Sequence, residues 1–150
     1  SQTGKVLFTL QVETGDLKPL WLRLACRADG KKLAAVGALM HPDSGADEGM
    51  ILIWDVETGK QEQLLTTGMN DYRLWTVAWS PDGRFMAVGS TGSDIFLWDM
   101  TTSQPLAKLG GHTDISDQLA WSPAGNRLAS VARDGTLQIW DLSAFTSGTE

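Results

Sequence analysis

The chain has 150 residues, 42% hydrophobic and 20% charged, a balance that suits one folded domain and excludes a disordered segment. Eighteen acidic against twelve basic residues leave a formal charge of −6 and no dense Lys/Arg run, which argues against a nucleic-acid partner, and no apolar stretch approaches the ~20 residues of a membrane helix. Cys26 is the single cysteine, so an intrachain disulfide, a Cys-rich zinc site and a CxxC redox pair are all excluded.

Residues 4–10 have strand composition and resemble the stretch from Thr58-Gly59-Lys60 to Leu64-Leu65, which follows the first of three Trp-Asp pairs. They predict an orphan outer strand whose own Trp-Asp lies outside the chain. Repeat 1 (11–67) carries the turn Arg27-Ala28-Asp29-Gly30, the small-residue strand Ala34-Ala35-Val36-Gly37 and an acidic hairpin at 40–49. It ends on Ile51-Leu52-Ile53 and Trp54-Asp55. Repeat 2 (68–109) predicts strands at 74–80, 84–90, 94–99 and 104–109, with Ser80-Pro81-Asp82-Gly83 closing the first hairpin. Proline presets φ there and glycine suits the fourth turn position. Its apolar run Ile95-Phe96-Leu97 ends on Trp98-Asp99.

Repeat 3 (110–142) begins with Gly111-His112-Thr113-Asp114 and turns at Ser122-Pro123-Ala124-Gly125. Its second hairpin turns on Asp134-Gly135, a dipeptide that tolerates positive φ, and the repeat ends on Leu137-Gln138-Ile139 and Trp140-Asp141. The tail, 143–150, offers no apolar fourth strand. The three Trp-Asp pairs are spaced by 98 − 54 = 44 and 140 − 98 = 42 residues. Unit length, order and the Gly-His to Trp-Asp signature resemble the WD-repeat family, over essentially the whole chain and best in repeat 3. The resemblance implies an all-β fold of WD-type β-propeller blades: three four-stranded antiparallel blades, the last completed by an N-terminal strand in trans or by a partner.

By that resemblance His112, Ser130, Asp134 and Trp140 form a hydrogen-bonded tetrad that rigidifies blade 3, since a buried indole N–H, hydroxyl and carboxylate each need a partner. Repeat 2 has Asn70, Val88 and Gly92 at the His, Ser and Asp positions, and repeat 1 has Leu17 in the His slot, so neither is expected to hold the network. Propellers have 4–8 blades. Three blades are therefore expected to be completed, either by a second copy in a six-bladed ring with exchanged first strands or by another chain or a longer parent. The start at Ser1 rather than Met makes the longer parent an expectation.

Two His and one Cys supply no catalytic set, and no P-loop, HExxH or GxSxG string occurs. Cys26 aligns with Trp79 and Trp121 and is expected to be a buried core thiol. No cofactor is expected and the expected compartment is the cytoplasm. The function expected is a non-catalytic protein-protein interaction scaffold, with a structural subunit of a larger assembly as the alternative. A sensor with a metal at His41, Asp43, Asp47 and Glu48 of the acidic hairpin is a further alternative. By the resemblance, protein partners dock on the ring face where each first strand begins, which places Trp21, Arg23, Arg73, Trp75, Ile115 and Asp117 there. Trp and Arg at such positions suit interface hot spots.

Overall fold

The computed structural model describes residues 4–7, 9–70 and 72–147, apart from the side chains of Trp21, Leu22, Met69 and Asn70. The first sheet is β1 (Lys18–Cys26), β2 (Lys32–Met40), β3 (Asp47–Asp55) and β4 (Gln61–Asn70). The second is β5 (Leu74–Trp79), β6 (Phe85–Ser90), β7 (Ile95–Asp99) and β8 (Gln104–Leu109). The third has only β9 (Ser116–Trp121), β10 (Arg127–Ala132) and β11 (Leu137–Asp141). Strands lie in chain order within each sheet, and every neighbouring pair is antiparallel.

Two local devices, each used three times, account for the meander. The first hairpin of each sheet closes on a glycine at positive φ, Gly30, Gly83 and Gly125. Their amides donate to Arg27, Ser80 and Ser122 carbonyls at 2.8–2.9 Å, a left-handed corner that a side chain would strain. After the third strand the Asp of each Trp-Asp pair organises the exit. Asp55 Oδ1 accepts from the Thr58 amide and hydroxyl, Asp99 Oδ1 from those of Thr101, and Asp141 Oδ1 from those of Ser143. These are Asx turns, in which the side chain replaces a backbone acceptor.

The sheets stack face to face, and the apolar content is concentrated between them. Ala34, Val36, Ile51 and Ile53 of the first sheet pack against Met86, Val88, Phe96 and Trp98 of the second. Ala87, Ile95 and Leu97 on the second sheet's other face pack against Leu119 and Leu128 of the third. At roughly 25 cal/mol per Å² of apolar area removed from water, these two junctions are what hold the arc together.

The structure revises several expectations. Residues 4–7, 9 and 10 form no strand and join none of the three sheets of the chain; Phe8 lies outside the described residues. Instead Leu10, Val12 and Leu17 fold onto the outer face of the first sheet, against Leu39, Met50, Leu52 and Trp54. Strand β4 continues to Asn70, so the repeat boundary expected at 67 falls inside it. The irregular part of the acidic hairpin shrinks to 41–46, since Asp47 and Glu48 already belong to β3. Cys26 is exposed rather than buried, because no preceding blade covers its face. In the tail, α1 (Ser143–Thr146) makes a single turn, with Phe145 against the junction of the second and third sheets; 148–150 lie outside the described residues.

Candidate protein-docking face and its supports

The third blade brings His112, Ser130, Asp134 and Trp140 together. Trp140 Nε1 donates to Ser130 Oγ at 2.8 Å, Ser130 lies 2.7 Å from His112 Nε2, and His112 Nδ1 lies 2.9 Å from Asp134 Oδ2. The arrangement places each proton once: the indole N–H on serine, the serine O–H on imidazole, the imidazole N–H on carboxylate. Asp134 also accepts from the Thr113 amide and from both the amide and hydroxyl of Thr136. Those donors, led by the Thr136 hydroxyl and the Thr113 amide, hold its carboxyl well below the usual carboxylate range. The network ties the entering loop at 112–113 to the hairpin at 134–136 and fixes the upper rim of the blade.

Each of the other blades treats its Trp differently. Trp98 Nε1 is buried and has no hydrogen-bond partner among the described residues, because Val88 occupies the serine position. The vacated carboxylate position is filled by an aromatic ring: a Cβ on Gly92 would overlap the ring of Tyr72. In the first blade Trp54 Nε1 points at the Gln11 carbonyl, 3.4 Å away. The side chain of Asn70 lies outside the described residues.

Of the six residues placed on the docking face, three converge, one from each blade. Trp75 donates its indole N–H to Asp117 Oδ1 at 3.1 Å, and the Arg23 guanidinium lies 4.9 Å from the Trp75 ring centroid. Arg133 lies 5.2 Å from the same ring and donates to both Asp117 oxygens at 3.1 and 3.2 Å. The indole is thus held by two cations, an arrangement in which the ring quadrupole attracts each guanidinium. Arg23 is exposed and contacts no carboxylate among the described residues, so its hydrogen-bonding edge is available. Arg73 stands apart, paired with Asp47 through Nε at 2.6 Å. Ile115 is half-buried, with its amide bonded to Asp114 and its carbonyl to the Arg133 amide. The side chain of Trp21 lies outside the described residues.

Arg133 and Tyr72 were missed by sequence reasoning. Arg133 immediately precedes the tetrad carboxylate, and that adjacency was the available signal for its place on the rim. The acidic hairpin does not gather as a metal site: Asp47 is paired with Arg73, while Glu48 takes the Gly68 amide and His41 Nε2. Among the described residues no three His, Cys, Asp or Glu side chains converge on a cation position.

The WD domain, G-beta repeat family model matches residues 61–99 and 103–141. The chain is 27% identical over 125 residues to the Drosophila melanogaster protein LST8 homolog, covering 75% of this chain and 39% of that protein. It is 36% identical over 141 residues to the Arabidopsis thaliana cell division cycle 20.1, cofactor of APC complex, covering 66% and 31%. The crystal structure of RRP9 WD40 repeats superposes with a TM-score of 0.70 at 21% identity, covering 88% of this chain and 38% of that one, a likeness of fold alone. The chain spans about two fifths of the length of the first of these relatives and of that structure. With two matched repeats, three stacked antiparallel sheets and a Trp-Asp pair ending the third strand of each, the chain belongs to the WD-repeat family.

Proposed function

We propose that this chain is a non-catalytic protein-interaction scaffold, an arc of β-propeller that docks a protein partner on the rim around Trp75. The observation that carries the reading is the convergence of Arg23, Trp75 and Asp117, one from each blade, with Arg133 across the ring. A site assembled from three blades depends on the rigidity of the whole arc, and it presents a half-buried indole beside a guanidinium that meets no carboxylate among the described residues. Such residues bury large area and keep a polar handle, which suits an interface anchor. Relatives named as a cofactor of APC complex, a U3 snoRNP-associated protein-like protein and a chromatin assembly factor subunit support a role within protein assemblies. The ring is closed by blades outside the arc, supplied by a second copy, by another chain or by the rest of a longer parent.

Trp75→Ala is expected to weaken partner binding by about 2 kcal/mol, roughly 30-fold, and Arg23→Ala by a smaller factor. Titrating a captured partner against each variant, with circular dichroism as the folding control, checks both. Undiminished binding by a folded Trp75→Ala variant, or misfolding of that variant with Arg23→Ala binding at full strength, would reduce the cluster to strand-edge packing.

A further inference from the structure

The two guanidinium groups beside Trp75 are not equivalent, and the difference selects what can sit on the rim. Arg23 lies 4.9 Å and Arg133 lies 5.2 Å from the ring centroid, both within cation–π distance. Arg133 is forked onto both oxygens of Asp117, which also takes the Trp75 indole N–H, so this acid and this base compensate each other. The Arg23 side chain has the ring against it and meets no hydrogen-bond acceptor among the described residues. Two guanidinium groups and one carboxylate leave one positive charge at this spot, on a chain whose formal charge is −6. In the loops entering β5 and β9, Arg73 is bound to Asp47, and Asp114 accepts from the Ile115 amide instead of from either guanidinium.

A guanidinium laid against an aromatic ring keeps its N–H edge free and set in direction, which leaves little ordering for a ligand to impose. That edge matches a planar carboxylate, through two parallel N–H···O bonds. A phosphate dianion or a chain-terminal carboxylate needs further donors, of the kind that a nest of backbone amides supplies. The amides of the surrounding loops are already in use. Those of Thr113 and Thr136 go to Asp134, that of Ile115 to Asp114, and that of Arg73 to Thr91 Oγ1. One acidic side chain is therefore the anion that this donor set satisfies. Asp117, shared between Trp75 and Arg133, offers little to a cationic partner.

We infer that the partner presents an acidic peptide segment, with one Glu or Asp carboxylate paired with the Arg23 guanidinium and its flanking residues against the exposed part of the Trp75 indole. The inference rests on the scaffold reading and gives its partner a chemistry. Charge complementarity selects this occupant, since the pairing compensates the one guanidinium of the cluster that the chain leaves without an anion.

A display library of random peptides selected on the unaltered chain supplies the probe, because it assumes no partner sequence. Peptides whose binding needs Trp75 are expected to share one Glu or Asp position. Changing that residue to Gln or Asn is expected to weaken binding about tenfold, less than the Trp75→Ala loss. In Arg23→Gln the acidic and amide peptides are expected to bind alike, and Arg23→Glu is expected to prefer Lys at that position. Arg23 is exposed, so its variants keep the fold, with circular dichroism as the control. Trp75-dependent peptides without a shared acid, or an acid whose replacement matters equally in Arg23→Gln, would overturn the inference and leave the scaffold reading standing. Tighter binding with phosphoserine in place of the acid, or binding only when the acid is the chain terminus, would overturn it in the same way. A library that yields no peptide dependent on Trp75, from a folded chain, would sink both readings.

Discussion

Ser130→Ala is expected to destabilise the chain by about 2–4 kcal/mol, because one hydroxyl serves two otherwise unpartnered groups. Ser130 is 1% exposed, accepts from Trp140 and donates to His112. Removing it takes the shared partner from the Trp140 indole N–H and from a buried imidazole nitrogen. The second blade supplies the opposite experiment. There Trp98 Nε1 already lacks a partner, and Val88 stands where the serine would be. Val88→Thr keeps the side-chain shape and adds the missing acceptor, so the cost of burying a hydroxyl is offset by satisfying the indole. The net change is expected to stay within about 1 kcal/mol. Urea midpoints at constant m-value measure both. If Ser130→Ala shifts the midpoint no more than Val88→Thr does, the tetrad is an incidental alignment and blade 3 draws its rigidity from apolar packing alone.

The repeat and the strands were legible because their signals are local. Trp-Asp spacing, the Pro-Asp-Gly type of turn and small residues in the second strands place β5 to β8 within one residue of expectation. The tetrad was legible by resemblance, residue by residue, in the one repeat that keeps all four members. What escaped depends on neighbours. The exposure of Cys26 reflects that neither of the other two sheets packs on its side of the first, which no property of the residue announces. The partner of Trp75 depends on a side chain 42 positions away and on how far one blade is rotated against the next. Tyr72 fills the space beside Gly92 because two loops meet there, and the sequence shows only a glycine where an aspartate was expected. The Asx turns after each Trp-Asp pair were recoverable: a Thr or Ser stands two or three residues beyond every one of these aspartates.

Those turns also make the fold sensitive to acid, with a sign fixed by their geometry. The Thr58 amide, followed by the Lys32 ammonium, pulls the Asp55 carboxyl down to about 2, and the Arg27 guanidinium does the same for Asp29, also to about 2. The Thr101 hydroxyl lowers Asp99, the Ser143 hydroxyl lowers Asp141, and the donors around Asp134 lower it as well. In the unfolded chain these groups titrate near the ordinary aspartate value of roughly 3.9. Between about pH 4 and pH 2 the unfolded state therefore binds protons that the folded state refuses, and stability must fall as pH falls through that window. Above about pH 5 both states are ionised at all five positions, so these carboxylates add no slope. Urea unfolding followed from pH 7 to pH 2 is expected to show a flat stability down to about pH 5 and a steep loss below pH 4. Asp55→Asn, which keeps an acceptor for the Thr58 amide but cannot titrate, is expected to remove part of that slope while the chain stays folded at neutral pH. Stability that held level to pH 2, or a slope unchanged in Asp55→Asn, would mean that the turn donors release these carboxylates at little cost and that the corners of the blades are set by their glycines instead.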